Sequence, residues 1–380
     1  MKKKILVVTE RRADYSKLKP LLKKISASNK LDYFLIVTGS HILKEYGNTI
    51  KEIKKDGFKI TSTFSMYKKN RKDTGAEMMY AFGRAINNLT IQIEKIKPDV
   101  IISGFDIGAN FASAIIGAHM NILVCHIEGG EVTGTIDDSI RHATTKFAHI
   151  HFTSNNQASK RLIKMGENPK YVFTVGSPSL DAILELKNIP DNILEKKYGL
   201  DFKKPFVIML QHTVTSEIDK IDQHVFETIN AIKELDIQAI IIYGNPDAGS
   251  RKILKVIKNS KIKQYSSIPF NDFITILKHS SVLIGNSSSG IIEAPFLHIP
   301  SVNVGTRQEG RLHASSVIDV SYDKNKIKNA IMKAINDKKF LNKIQKLKSL
   351  YGDGHTSDRI VDILENINKK HIPIQKKLNY

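Results

Sequence analysis

Two α/β units with parallel sheets, facing one another across a cleft, are the fold class this sequence predicts. Three observations carry the prediction. Short apolar runs alternate with helical stretches along the whole chain, the signature of parallel sheets covered by helices. The alternation restarts after a polar, proline-containing seam. Glycine-rich and charged clusters fall at the ends of apolar runs, where open α/β sheets hold ligands.

Taken in order, Ile5 to Thr9 reads as a buried strand and Ser16 to Ile25 as a helix. Tyr33 to Thr38 is a second strand, followed by a helix around Ile42 to Lys55. Ile60 to Phe64 is a short strand, and Glu77 to Lys95 a long helix stopped by Pro98. Val100 to Ser103 is a strand, and a helix of small residues runs from Gly108 to His119. Ile122 to Cys125 leads into an acidic, glycine-rich turn and a helix from Ile136 to Phe147. His149 to Thr153, the helix Ala158 to Met165, and Val172 to Val175 close the first unit. Gly176 to Asp181 and Lys187 to Lys197 form the seam. Strands then recur at Phe206 to Leu210, Ile237 to Tyr243, Ile262 to Tyr265, Val282 to Ile284 and Val302 to Val304, with a last helix from Ser357 to Lys369. The expected division is 1–180, 181–365, and a tail, 366–380, packing back on the first unit.

The bulk numbers agree with two globular units. The chain has 380 residues, 41% of them hydrophobic and 25% charged. No apolar run approaches the roughly 20 residues that span a bilayer, and the apolar run after Met1 is too short for a signal peptide. The single Cys125 excludes an internal disulfide and fits a reducing cytoplasm. The formal charge of +20 is spread over lysine-rich helix faces, with no Trp and no basic stripe interleaved with aromatics. That argues against nucleic acid and for a field that draws in anionic small molecules.

The richest stretch runs from His126 to His142 and packs Glu128, Glu131, Asp137, Asp138 and Arg141 between a strand and a helix. Carboxylates in such different environments can be pushed apart in pKa, so that one serves as a base. Arg11, Arg12 and Ser16 follow the first strand, where a helix start and a cation suit a phosphate. Asp106 ends the fourth strand, His212 the first strand of the second unit, and Asn245 the next. Gly285 to Glu293 offers small residues and hydroxyls, Ser287 and Ser288, to a diphosphate, and Glu293 to a ribose. Gly305 to Arg311 adds Arg307 on the strand-end side, opposite the serine turn. A zinc site at His126, Glu128, Glu131 and His142 lacks the H-E-x-x-H spacing.

These residues resemble a known family, the hydrolysing UDP-N-acetylglucosamine 2-epimerases of sialic-acid and legionaminic-acid pathways. The likeness rests on Arg12 to Lys17, His126 to His142, His212, Gly285 to Ser288 and Gly305 to Arg311, in that order along nearly the whole chain. It implies paired Rossmann domains like those of nucleotide-sugar glycosyltransferases, catalytic carboxylates in the first, and the nucleoside diphosphate held by the second. It implies no metal, no nicotinamide and no other cofactor. It implies removal of the C2 proton of a nucleotide sugar, departure of the diphosphate from C1, and addition of water to the glycal. By that likeness Asp106, Glu128 and Asp137 are the catalytic carboxylates and His212 the essential histidine. Arg12, Ser16, Ser287, Ser288, Glu293 and Arg307 bind the nucleotide, with Asn245 a further contact. The partner is a nucleotide sugar, not nucleic acid or membrane, and the resemblance allows a homodimer.

The chain departs from the family in two places. Glu10 stands where the family has a glycine, and the arginine and glutamate that follow the fourth strand are here Ile107 and Ala109. The sugar could therefore be N-acetylglucosamine or a 2,4-diacetamido-6-deoxy sugar, carried on UDP or GDP. A non-hydrolysing 2-epimerase, a glycosyltransferase, and a nucleotide-sugar-binding protein without chemistry remain alternative readings of the same residues.

Overall fold

The computed structural model describes residues 1–105 and 108–379. The first lobe is built from β1 (Lys3–Thr9), α1 (Arg12–Ala27), β2 (Leu31–Val37), α2 (Ile50–Lys55), β3 (Ile60–Thr63), α3 (Gly75–Ile96) and β4 (Val100–Gly104). It continues through α4 (Gly108–His119), β5 (Leu123–Ile127), α5 (Ile136–Phe147), β6 (Ile150–Thr153), α6 (Asn156–Lys164) and β7 (Val172–Thr174). Two helices, α7 (Pro178–Leu184) and α8 (Asp191–Tyr198), lead into the second lobe. There follow β8 (Phe206–Leu210), α9 (Ile221–Lys233), β9 (Gln238–Ile242), α10 (Ser250–Asn259), β10 (Lys263–Tyr265), α11 (Phe270–His279) and β11 (Val282–Gly285). The chain ends through α12 (Glu293–Phe296), β12 (Ser301–Val304), β13 (Val317–Val320), α13 (Lys324–Asn336), α14 (Lys338–Ile344) and α15 (Thr356–Asn366).

The strands form two sheets, ordered β3-β2-β1-β4-β5-β6-β7 and β10-β9-β8-β11-β12-β13, with every described pairing parallel. The predicted α/β class holds. The central strands are buried along their whole length because both faces are covered by helices, which is why they read as unbroken Ile, Leu and Val runs. Strand order reverses between β1 and β4 and again between β8 and β11. A crevice opens at such a reversal, outside the carboxyl ends of the strands.

Several elements differ from the sequence reading. The helix expected over Ile42 to Lys55 is broken into 3-10 turns and the short α2, because Gly47 and Asn48 both adopt left-handed backbone. The seam is partly helical: Pro178 opens α7 at the helix start, where its missing N–H costs nothing. The edge strand β13 went unread because it is only four residues long, with Val317 alone buried and the exposed Asp319 interrupting its apolar run. The last helix, α15, reads as able to cross back with the tail, although the expected boundary at 365 counts it with the second unit; it lays Ile360 and Leu364 into the first lobe's core beside Leu18, Leu21 and Ile25 of α1. Lys3 Nζ donates to the carbonyls of Leu364, Glu365 and Ile367 at its carboxyl end. The tail goes further: Lys376 Nζ donates to the carbonyls of Thr145 and Ala148 at the end of α5, at 2.8 and 2.7 Å.

His41 is fully buried between the hydroxyls of Thr9 (2.9 Å) and Thr49 (2.7 Å). Burial pushes its imidazole down to about 4, against the pull of Asp14. The unfolded chain takes up that proton near pH 6.5, so the stability His41 confers is complete above 6.5 and is lost as pH falls towards 4. The loss is on the order of 3 kcal/mol. Urea midpoints measured from pH 7 to pH 4 should fall less steeply for His41→Gln than for the native chain; parallel curves would refute this.

Candidate active site

The turns at both reversals face one another and enclose a cleft of about 160 Å³. The first lobe contributes Arg11, Arg12, Ser16 and Lys17 after β1, Phe105 after β4, and Glu128, Asp137 and Arg141 around the acidic turn after β5. The second contributes His212 after β8, Asn245 after β9, Ser287, Ser288 and Glu293 after β11, and Arg307, Gln308 and Arg311 after β12. Every site residue expected from sequence lines this cleft except Asp106, which lies outside the described residues.

The acidic turn is shaped by its local sequence. Thr135, not Asp137 or Asp138, caps α5, accepting the Asp137 N–H. Asp138 instead accepts from the Thr133 N–H at 3.0 Å. The Asp137 carboxylate is left to reach across the cleft, 3.5 Å from Arg307 Nη2. Gly134 makes that approach possible: its N–H donates to the Arg307 carbonyl at 3.0 Å, and a side chain there would run into the Thr306 carbonyl.

Glu128 has a left-handed backbone, φ 59°, which is uncommon without glycine and is held here by its surroundings. Its N–H donates to the Phe152 carbonyl. Its carboxylate accepts from Lys17 Nζ at 2.7 and 3.0 Å and from Ser177 Oγ at 2.8 Å. Burial alone would push this carboxyl up, but Lys17, Arg311 and Ser177 together hold it below the ordinary range. Glu128 is therefore a fixed negative charge.

Glu131 faces away from the cleft, into a buried node. It accepts from Asn155 Nδ2 at 2.6 Å, from Arg311 Nε at 3.3 Å and from Tyr351 Oη at 3.3 Å. His126 meets Thr145 at 3.2 Å, and His142 lies 3.5 Å from Asp138, so the residues weighed for zinc point to separate partners.

His212 is neutral. Burial drives its imidazole well below 6.5, and Arg307, Arg11 and Arg12 push it further. The Asn245 N–H donates to Nδ1 at 3.2 Å, which places the ring proton on Nε2. The side chain of Asn286 brackets the His212 backbone, accepting its N–H at 2.6 Å and donating to its carbonyl at 3.0 Å. His212 can thus donate a hydrogen bond but carries no charge.

Of the arginines that line the cleft, Arg11, Arg12 and Arg307 each hold a backbone carbonyl of its walls. Arg12 Nη1 donates to Ser267 Oγ at 2.7 Å and also to the Ile268 carbonyl, bridging the lobes. Arg11 Nη2 donates to the Phe105 carbonyl at 3.0 Å. Arg307 Nη1 donates to the Asn286 carbonyl at 3.0 Å, and burial, with Arg11 and Arg311 nearby, lowers its pKa. Cations crowded in a buried place favour an anion between them. Ser287 caps its own turn, accepting from the Ser289 N–H, while Ser16 Oγ donates within α1 to the Ala13 carbonyl. Glu293 is buried with Oε2 making no hydrogen bond, and burial raises its pKa. An acceptor in that state suits incoming hydroxyl donors.

Lys17, Ser177 and Tyr351 were not assigned from sequence. Lys17 could have been, since it lies in the second turn of α1, close after Arg12. Ser177 and Tyr351 arrive through tertiary packing and leave no local signal.

A sequence profile of the UDP-N-acetylglucosamine 2-epimerase family matches residues 23–365. The UDP-N-acetylglucosamine 2-epimerase of Neisseria meningitidis serogroup B is 36% identical, over 99% of this chain and 98% of its own. The hydrolysing UDP-N,N'-diacetylbacillosamine 2-epimerase of Legionella pneumophila is 36% identical, over the whole of both chains. The crystal structure of UDP-GlcNAc 2-epimerase from Neisseria meningitidis bound to UDP-GlcNAc superposes with a TM-score of 0.81 at 18% identity, covering 95% of this chain and 99% of that one.

The partnership of Lys17 and Glu128 can be read by titration. With Lys17→Met, burial is less opposed and the Glu128 carboxyl should titrate at a higher pH than in the native chain. Carboxyl-carbon NMR of labelled glutamate measures it, and an unchanged midpoint would rule out the ion pair.

Proposed function

The chain belongs to the UDP-N-acetylglucosamine 2-epimerase family, and from that premise we propose that it is a hydrolysing 2-epimerase of a nucleoside-diphosphate N-acetyl amino sugar. The observation that carries this reading is the apposition of first-lobe carboxylates to second-lobe cations, with Asp137 3.5 Å from Arg307. Full-length likeness to a relative named as hydrolysing supports the fate of the product.

In the proposed reaction a carboxylate takes the proton from C2 of the sugar. The C–H electron pair becomes the C1–C2 double bond, and the C1–O bond to the diphosphate breaks on the opposite face. The nucleoside diphosphate leaves with the electron pair of the C1–O bond, and a glycal remains. Water then adds, hydroxyl to C1 and hydrogen to C2 with inverted configuration, and the free 2-epimeric sugar is released. Glu128, already satisfied by Lys17 and Ser177, acts as a fixed charge. That leaves Asp106 and Asp137 to move protons. Arg12, Arg307 and the hydroxyls of Ser287 and Ser288 receive the charge that develops on the departing diphosphate. His212 donates from Nε2 as a neutral group, Asn245 holds its ring, Ser16 lies beside Arg12, and Glu293 accepts ribose hydroxyls.

The cleft's volume, about 160 Å³, is below the roughly 300–1,000 Å³ of ordinary ligand pockets. The bridges from Arg12 to Ser267 and from Arg307 to Asp137 therefore open to admit substrate and close over it. The substrate is UDP-N-acetylglucosamine, giving N-acetylmannosamine and UDP, or a UDP- or GDP-linked N,N'-diacetylbacillosamine, giving 2,4-diacetamido-2,4,6-trideoxymannose. Either product would feed nonulosonic (sialic or legionaminic) acid synthesis.

Incubation with each candidate in heavy water should yield free sugar carrying deuterium at C2. A product still bound to nucleotide would indicate the non-hydrolysing reaction. Asp106→Asn should lower release by about 10²–10⁴-fold; equal rates in variant and native protein would defeat the mechanism.

A further inference from the structure

The backbone of His212 and its ring are held from different places. Asn286, in the same lobe, fixes the backbone. The ring proton is set by the Asn245 N–H on Nδ1, and so by the turn that follows β9. That turn lies hard against the ring: a Cβ added at Gly244 would stand 3.1 Å from Nδ1.

The same turn is completed by the other lobe. Between Pro246 and Arg251, three backbone polar groups find partners there. Arg71 Nη1 donates to the Pro246 carbonyl at 3.4 Å. The Ala248 N–H donates to Met78 Sδ at 3.4 Å. The Arg251 N–H donates to Asp73 Oδ2 at 3.0 Å, and Ser250 Oγ reaches Asp73 Oδ1 at 3.5 Å. This last contact is a helix cap supplied from outside. Arg251 stands in the first turn of α10, where N–H groups have no intrahelical carbonyl to meet. Gly249, just before that helix, brings no side chain to cap them. Asp73 does so from across the lobes, and a carboxylate suits the positive end of a helix.

Arg71 and Asp73 are themselves anchored. They lie just before α3, whose Ala81, Ala85, Leu89 and Ile93 are buried in the first lobe's core. Arg71 is buried too, its guanidinium 4.9 Å from the centre of the Tyr67 ring and 2.9 Å from Glu45 Oε1. A chain of contacts thus runs from the core of one lobe to the imidazole of the other.

We propose that Arg71 and Asp73 are positioning residues that set the ring of His212 through the turn from Asn245 to Arg251, so that His212 presents its Nε2 proton when the lobes are together. The role given to His212 rests on the hydrolytic reading above; the control of its ring does not. When the lobes part, the Pro246, Ala248 and Arg251 groups exchange these partners for water. The turn loosens, and the Asn245 N–H no longer fixes the tautomer. Closing the cleft and arming its neutral donor are then one event.

The test compares native protein with Asp73→Ala, with Asp73→Ala combined with Arg71→Gln, and with Asp73→Asn, which keeps an acceptor for the Arg251 N–H. Nitrogen NMR of labelled histidine reads the tautomer directly, the His212 signals being those absent from His212→Gln. In native protein its two ring nitrogens should be well separated, as for one fixed tautomer. In Asp73→Ala and the double variant they should draw together as tautomers mix, and Asp73→Asn should restore the separation. Free-sugar release by the double variant should fall about 10- to 100-fold in kcat, the scale of a small misplacement, with KM less affected. A double variant that folds, as its melting curve shows, and keeps the native His212 signals would overturn the proposal whatever its rate. Should it not fold, native signals in Asp73→Ala, where the side chain replaced is only half-buried, would do the same. Native protein that releases no free sugar would overturn the hydrolytic reading, while the spectra would still decide the control of the ring.

Discussion

The buried contact between Glu131 and Arg311 is the constraint on which the arrangement of the two lobes depends. Both side chains are almost wholly withdrawn from water, at 3% and 6% exposed. Burying opposite charges is costly unless every remaining donor and acceptor is met. Here Asn155 and Tyr351 complete Glu131, and Gln308 accepts from Arg311 Nη1 at 3.1 Å. Gln308 in turn donates to the Asn286 carbonyl, next to the serine turn. One node thus registers the acidic turn of the first lobe against the cationic turn of the second. Loss of one partner from such a pair typically costs about 3–5 kcal/mol, so the node is a firmer tie between the lobes than the outer bridges from Arg12 and Arg307.

From that node outward, charges are sorted by role. Glu128 is kept ionised by Lys17, His212 is kept neutral by burial and by the arginines around it, and Arg307 is shared between the Asn286 carbonyl and Asp137. Burial acts on all three, and cations stand beside each, with opposite results: they favour the charge of a carboxylate and oppose that of an imidazole or a second guanidinium. A donor without charge beside cations that do carry it suits the departing diphosphate of the proposed reaction.

Much of this was legible in the chain before folding. Strands such as Phe206–Leu210 announce themselves because a sheet buried on both faces needs unbroken apolar runs. The cleft residues were legible because they follow those runs directly. What was not legible is pairing at a distance. Nothing in the sequence near Glu131 announces Arg311 or Tyr351, and nothing near Glu128 announces Lys17 or Ser177. The break at Gly47 and Asn48 was lost to a strong helical pattern, and β13 to its brevity.

The C-terminal helix has a consequence for how the protein is made. The first lobe's core is completed by Ile360, Leu364 and Ile372, which are translated long after its last strand, Val172–Thr174. While the ribosome is still producing the second lobe, the groove that receives α15 stays bare, with Leu18, Leu21, Leu22 and Ile25 beneath it. The amino-terminal half on its own therefore leaves an apolar face uncovered, the kind of surface that favours aggregation until it is capped. Only the arrival of the final segments converts it into a finished domain.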